Sequence, residues 1–174
     1  DHYLTGKGQL YDGTMRVPLI VRDPSSSADV TRGQHLDGFV ESIDHAPTIL
    51  EYLGVPIPRR FQGTSVLSRV WGSQDSKTEI YYEKDISGEI ADIVPDPDLR
   101  LLWVVRDNEY KYVQFASEKI PPLLFDLRND PDEYQNLAND PAHMSTVLIY
   151  CQKLLRWRMK REDHHMAHWH EAHS

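Results

Sequence analysis

The sequence predicts an α/β chain in two parts: the edge of a large mixed sheet with packed helices, followed by a small antiparallel four-stranded sheet covered by a C-terminal helix. Three observations carry this reading. A five-residue apolar run, Val17-Pro18-Leu19-Ile20-Val21, is followed by an apolar set at helical spacing. From Glu79 the pattern changes to short runs rich in aromatic and branched residues. Near the end, Met144, Val147, Leu148, Cys151, Leu154 and Leu155 recur as one helical stripe. Strand-to-helix alternation suits an α/β layer, whereas short neighbouring strands joined by hairpins favour an antiparallel sheet. The break is expected near Ser73 to Thr78. It separates residues 1–73, a portion of a larger α/β domain, from 79–162, the small sheet and its helix, with 163–174 a His-rich tail.

The elements follow in order. The opening, Asp1-His2-Tyr3-Leu4-Thr5-Gly6-Lys7-Gly8, has no initiator Met and is expected to start within a loop, with part of the protein upstream. Val17 to Val21, ended by Asp23-Pro24, reads as a strand buried on both faces. Leu36 to Ile43 is a second strand candidate. Asp44 can accept from the free amides of the turn that follows, so it is expected to cap a helix carrying Ala46, Ile49, Leu50 and Leu53. Gly54 and Pro56 stop that helix. Glu79 to Lys84, Leu99 to Arg106, Tyr110 to Phe115 and Leu123 to Leu127 are the four strands, and Asp107-Asn108-Glu109 joins the second and third as a tight hairpin. Ile86 to Asp98, with Gly88, Pro95 and Pro97, reads as a mobile surface loop. Asp130 and Glu133 have capping-box spacing, with Pro131 at the first helical position. Asp140 caps the last helix, and Pro141 occupies its first turn.

Composition excludes several functions. The 174 residues, 40% of them hydrophobic, with four Trp, nine Tyr and four Phe, suffice for one sizeable core. A net charge of −8 offers no basic face to release counterions, so nucleic acid is not an expected partner. No apolar run reaches the roughly 20 residues that span a bilayer, and no membrane partner is expected. The single cysteine, Cys151, excludes an internal disulfide framework and leaves a cytoplasmic or a periplasmic location open. On the apolar stripe it reads as a small core residue. In the tail, His164, His165, His168, His170 and His173 could chelate Zn²⁺ or Ni²⁺. The plainer alternative is a solvated extension.

Several motifs in order resemble one known family. Gly6-Lys7-Gly8, Tyr11 and Arg16-Val17-Pro18-Leu19-Ile20-Val21 come first. Ile43-Asp44-His45-Ala46-Pro47-Thr48-Ile49-Leu50, Gly54-Val55-Pro56 and Gly63-Thr64-Ser65 follow. Leu124-Phe125-Asp126-Leu127, Asp130-Pro131-Asp132-Glu133 and Asn136-Leu137 close the set. Each piece is weak alone, but the ordered set resembles the sulfatases and phosphonate monoester hydrolases of the alkaline phosphatase superfamily, from the first residue to about Lys160. The resemblance implies a large mixed sheet with a smaller antiparallel sheet and a C-terminal helix. It also implies two cofactors in the whole protein, a divalent metal (Ca²⁺, or Mn²⁺/Mg²⁺) and a formylglycine made from Cys or Ser in a Cys/Ser-x-Pro/Ala-x-Arg motif. Their residues would lie upstream of Asp1, so this chain is expected to hold neither. Cys151 lacks that motif.

The implied reaction is cleavage of a small-molecule sulfate ester. It develops negative charge on the equatorial oxygens, which a fixed cation stabilises. In the family a lysine matching Lys7 contacts the sulfate and the nucleophile, and Gly6 and Gly8 would let the backbone approach closely. The alternative is an ordinary solvated loop lysine. His2 matches a histidine often found at the rim of the site; its alternative is a terminal histidine with no role. Reading Asp1-His2 as the metal pair itself would bring Lys7 too soon for the family's spacing. Tyr11 and Arg16 are expected to support the loop, Arg16 through a carboxylate partner. Two other functions stay open: a phosphonate or phosphate ester hydrolase of the same superfamily, and a non-catalytic module that self-associates through the exposed edges of the Val17–Val21 strand.

Overall fold

A computed structural model describes residues 10–85 and 96–161. Its centre is a four-stranded meander of β1 (Glu79–Asp85), β2 (Leu101–Asp107), β3 (Tyr110–Phe115) and β4 (Leu123–Asp126), paired antiparallel in the order β1-β2-β3-β4. The four runs expected as strands are these, shifted at their ends by no more than two residues. At the start of β2, Leu99 belongs instead to a 3-10 turn over Pro97–Leu99. The β2–β3 hairpin closes on Asp107, whose Oδ1 accepts from the amides of Glu109 at 2.9 Å and Tyr110 at 3.0 Å. Most of the expected 86–98 loop lies outside the described residues.

Alternation along the strands divides the sheet into two faces. One buries Val105, Tyr112 and Leu124 against Tyr150 and Leu154 of the long helix α4 (Met144–Arg161). The other buries Leu102, Val104 and Val113 with Leu10, Tyr82 and Phe115. Helix α4 begins as expected: Pro141 opens a 3-10 turn, and the Asp140 carboxylate accepts from the Ala142 amide at 3.0 Å.

The face α4 turns to the sheet differs from the expected stripe. Met144, Leu148, Cys151 and Leu155 are exposed, while Val147, Tyr150, Leu154 and Trp157 point inward. The reason lies in the sheet surface, which presents rings and carboxylates rather than aliphatic side chains alone. Trp157 stacks on Tyr81 with centroids 5.2 Å apart, and Tyr150 meets Tyr110 edge-on at 5.8 Å. Lys153 reaches Glu79 and Asp107, each at 2.8 Å, and Arg158 lies over Trp103. Amphipathic side chains cover apolar surface with their stems and keep polar ends at its rim, so they compete well for this face. Cys151 is exposed, with the Tyr112 hydroxyl beside its sulfur.

The first part contains α1 (Asp12–Met15), α2 (His45–Tyr52) and α3 (Leu67–Val70). Helix α2 ends where expected. Gly54 is left-handed at φ 68, and the amides of Gly54 and Val55 bond back to Glu51 and Leu50, closing the last turn. Its inward contacts come from Pro47, Thr48 and Leu50, whereas Ile49 and Leu53 are exposed. Asp44 does not cap α2. Fully buried, it accepts from the amides of Glu41 and Thr64 and pairs with Lys77 at 2.8 Å. Lys77 also pairs with Glu41, so these three residues fasten the first part to the start of β1. Gly63 is required beside them, because a Cβ there would lie 2.0 Å from the Ile43 carbonyl oxygen.

Neither strand expected in the first part forms among the described residues. Val17 to Val21 has no ladder partner, and its side chains face solvent, with Ile20 90% exposed. Of Leu36 to Ile43, only Phe39 pairs, through an isolated bridge to Lys77, before a 3-10 turn takes Ser42–Asp44. A strand needs a neighbour for its N–H and C=O groups, and no described segment supplies one for Val17 to Val21.

The buried tyrosines make stability depend on alkali. Burial, and then the Cys151 side chain, push the Tyr112 phenol up to about 12 from 10.0. Burial also raises Tyr81, Tyr82 and Tyr150. A raised folded-state value means that the unfolded chain loses its protons first as pH rises past 10. This stabilisation is therefore complete below pH 10 and is lost through the window up to about 12. Denaturant midpoints measured across that window should fall, and Tyr112→Phe should flatten the fall; a level profile for the parent would refute it.

Candidate active-site anchor

The register of β2 and β3 puts Arg106 directly opposite Lys111, on the face away from α4. Two cations on one buried stretch of sheet require anions, and two distant segments bring them. Asp12, in the short helix α1, lies 2.8 Å from Arg106 Nη2 and 3.2 Å from Lys111 Nζ. Glu133, in the turn after β4, places Oε1 2.6 Å from Lys111 Nζ, an ion pair whose angle is not that of a hydrogen bond. Its Oε2 accepts the Asp12 backbone N–H at 2.7 Å.

The four charges cancel, and the inner pair is dry: Lys111 is 0% and Glu133 2% exposed. Burial alone would raise the Asp12 carboxyl, but Lys111 and Arg106 outweigh it and hold the group below the usual carboxylate range. Further contacts fix the same stretch. The Tyr82 hydroxyl donates to the Leu10 carbonyl at 2.8 Å. The Tyr11 ring lies 6.1 Å from that of Phe125, so Tyr11 packs this segment against β4, while the loop it was expected to support lies outside the described residues. Arg106 also lies over the Phe39 ring.

Glu133 is the described non-glycine residue with positive φ, at 61°. Such a conformation costs on the order of 1–3 kcal/mol and persists where surrounding contacts over-determine it. Asp130 and Glu133 do not begin a helix. Asp130 accepts from the Gln135 amide instead, while Glu133 turns inward. Arg16 is exposed and has no carboxylate partner among the described residues; Arg106 and Lys111 hold the segment in its place.

Lys7 and His2 lie outside the described residues, as does the His-rich tail. Lys7 stands three residues before Leu10 in the sequence. Among the described residues no group of three or more His, Cys, Asp or Glu is arranged to hold a metal. No described helix is long and apolar enough to cross a membrane. Asp12, Arg106, Lys111 and Glu133 did not stand out as site residues in the sequence. The available signal was alternation, which puts Lys111 on the same face as Val113 and therefore inside.

The fold and the anchor define a small sheet-and-helix subdomain on which the segment just after Gly6-Lys7-Gly8 is fixed. The chain belongs to the sulfatase family described as N-sulphoglucosamine sulphohydrolase, C-terminal, whose sequence model matches residues 1–160. It is 40% identical over 97% of its length to the multifunctional alkaline phosphatase superfamily protein PehA of Trinickia caryophylli, of which it covers 34%. It is 28% identical over 79% of its length to arylsulfatase K of Xenopus laevis, covering 25% of that protein. The crystal structure of the phosphonate monoester hydrolase of Agrobacterium radiobacter superposes with a TM-score of 0.82 at 31% identity, over 97% of this chain and 34% of that one. The chain thus spans about a third or less of the length of these relatives.

Proposed function

We propose that the complete protein is a sulfatase-type hydrolase that cleaves sulfate esters, with Lys7 contacting the sulfate and His2 at the rim of the pocket. The observation that carries this is the family match, which runs from the first residue and so takes in Gly6-Lys7-Gly8. As the ester bond to the leaving oxygen breaks, charge grows on that oxygen and on the equatorial oxygens. A lysine ammonium there offsets the charge without a proton having to leave it. The divalent metal and the formylglycine nucleophile are assigned to segments outside this chain, which covers 34% of the PehA relative. Similarity to the Agrobacterium radiobacter enzyme over 97% of the chain favours phosphonate monoesters as a second substrate class.

The exposed Val17, Leu19, Ile20 and Val21 support a further part of this reading. In the complete protein the run lies inside a larger sheet; in the isolated chain it is bare. Assays with an aryl sulfate and an aryl phosphonate monoester should show turnover of at least one by the complete protein and of neither by residues 1–174 alone. Light scattering of the isolated chain should show self-association. Turnover by the isolated chain, or none by the complete protein with either ester, would overturn the proposal.

A further inference from the structure

The quartet, buried at Lys111 and Glu133 and half-buried at Asp12 and Arg106, is larger than holding a loop down requires. Asp12 is gripped twice, by its carboxylate from Arg106 and Lys111 and by its backbone N–H from Glu133. The Leu10 carbonyl, two residues earlier, is held by Tyr82. Contacts from β1, β2, β3 and the turn after β4 thus converge on one three-residue stretch, and they are directional. An apolar plug could supply the same adhesion, since replacing buried ion pairs by packed hydrophobic groups is often neutral or stabilising. Apolar contact does not fix orientation, because it follows area and has no preferred direction. Charged hydrogen bonds do fix it. The left-handed backbone at Glu133 belongs to the same device, for it turns a surface-loop carboxylate inward to Lys111 and the Asp12 amide.

We propose that Asp12, Arg106, Lys111 and Glu133 are positioning residues for ester cleavage: through the Leu10–Asp12 stretch they set the orientation of the loop that carries Lys7. This rests on the reading of Lys7 as the contact to the transferred group. Ester cleavage is sensitive to such placement, because a shift of about 1 Å in a catalytic group can cost on the order of 100-fold in rate. The clamp lies on the small sheet, remote in sequence from the loop it orients. The C-terminal subdomain takes part in turnover through Lys7.

The test uses the complete protein with an aryl sulfate and an aryl phosphonate monoester, at a temperature where each variant is fully folded by circular dichroism. Asp12→Asn keeps shape and removes the charge that both cations grip. It should lower kcat by about 10- to 100-fold while KM changes by less than about threefold. Should Asp12→Asn fail to fold, Arg106→Gln leaves the Lys111–Glu133 pair intact and reads the same quantities. Lys7→Ala combined with either variant should be no slower than Lys7→Ala alone, because the clamp acts through Lys7. A purely structural role would leave kcat per folded molecule at the parent value in both variants, which overturns the positioning role while a slow Lys7→Ala keeps the Lys7 reading. Additive losses in the double variants overturn it likewise. Undiminished turnover by Lys7→Ala overturns both.

Discussion

Replacing Lys7 by alanine in the complete protein is expected to lower kcat/KM for sulfate ester cleavage by about 10²- to 10³-fold, the scale on which one preorganised donor to a developing oxyanion acts. The effect belongs mainly to kcat. A cation aimed at equatorial oxygens gains most when their charge is largest, and that is in the transition state rather than in the bound ester. Lys7→Arg should recover only part of the loss, because the planar guanidinium presents its donors in a fixed fork where the ammonium is a compact charge. Steady-state kinetics on both variants decide it. Lys7→Ala within threefold of the parent would remove Lys7 from the mechanism and leave the family assignment, which does not depend on it, untouched.

The parts of the fold that were legible in the sequence are those decided locally. Tyr110 to Phe115 alternates between faces, and Asp107 supplies the hairpin's side-chain acceptor, so strand and turn follow from a few adjacent residues. Gly54 ends α2 for the same kind of reason. What the described residues do not form as expected depends on partners distant along the chain. Val17 to Val21 has strand composition but no described neighbour, and Asp44 was read as a cap when its acceptors are taken up by Glu41, Thr64 and Lys77. Helix α4 shows a second limit. Apolar spacing alone favoured Leu148 and Leu155, yet the sheet selected Tyr150 and Trp157 because its own surface offers rings and carboxylates. The anchor was the least legible of all. Asp-Pro-Asp-Glu has the spacing of a capping box at a helix start, and it is Lys111, buried near the start of β3, that gives Glu133 a reason to face inward.

That dependence makes Lys111→Met the substitution with the largest expected effect on stability, a loss of about 3–5 kcal/mol. Methionine fills most of the space of the lysine stem, so the loss is not chiefly one of packing. It comes from the Glu133 carboxylate, 2% exposed, whose Oε1 would face the interior with no cation while Oε2 keeps the Asp12 amide. A typical domain has only about 5–15 kcal/mol in total, so unfolding should begin at far lower denaturant concentration. Adding Glu133→Gln removes the stranded charge and retains an acceptor for the Asp12 N–H, while Arg106 still holds the Asp12 carboxylate. The double variant should therefore regain more than half of the lost stability, although it keeps the same single ion pair, Arg106 to Asp12, as the single variant. Urea titrations of the parent, Lys111→Met and Lys111→Met/Glu133→Gln distinguish this from a simple sum of contacts. If the double variant is less stable than the single one, the stranded Glu133 carboxylate is not the source of the loss. If it is more stable, the stranded charge is the cause, and a double variant that also matches or exceeds the parent would show that attraction does not account for the pair.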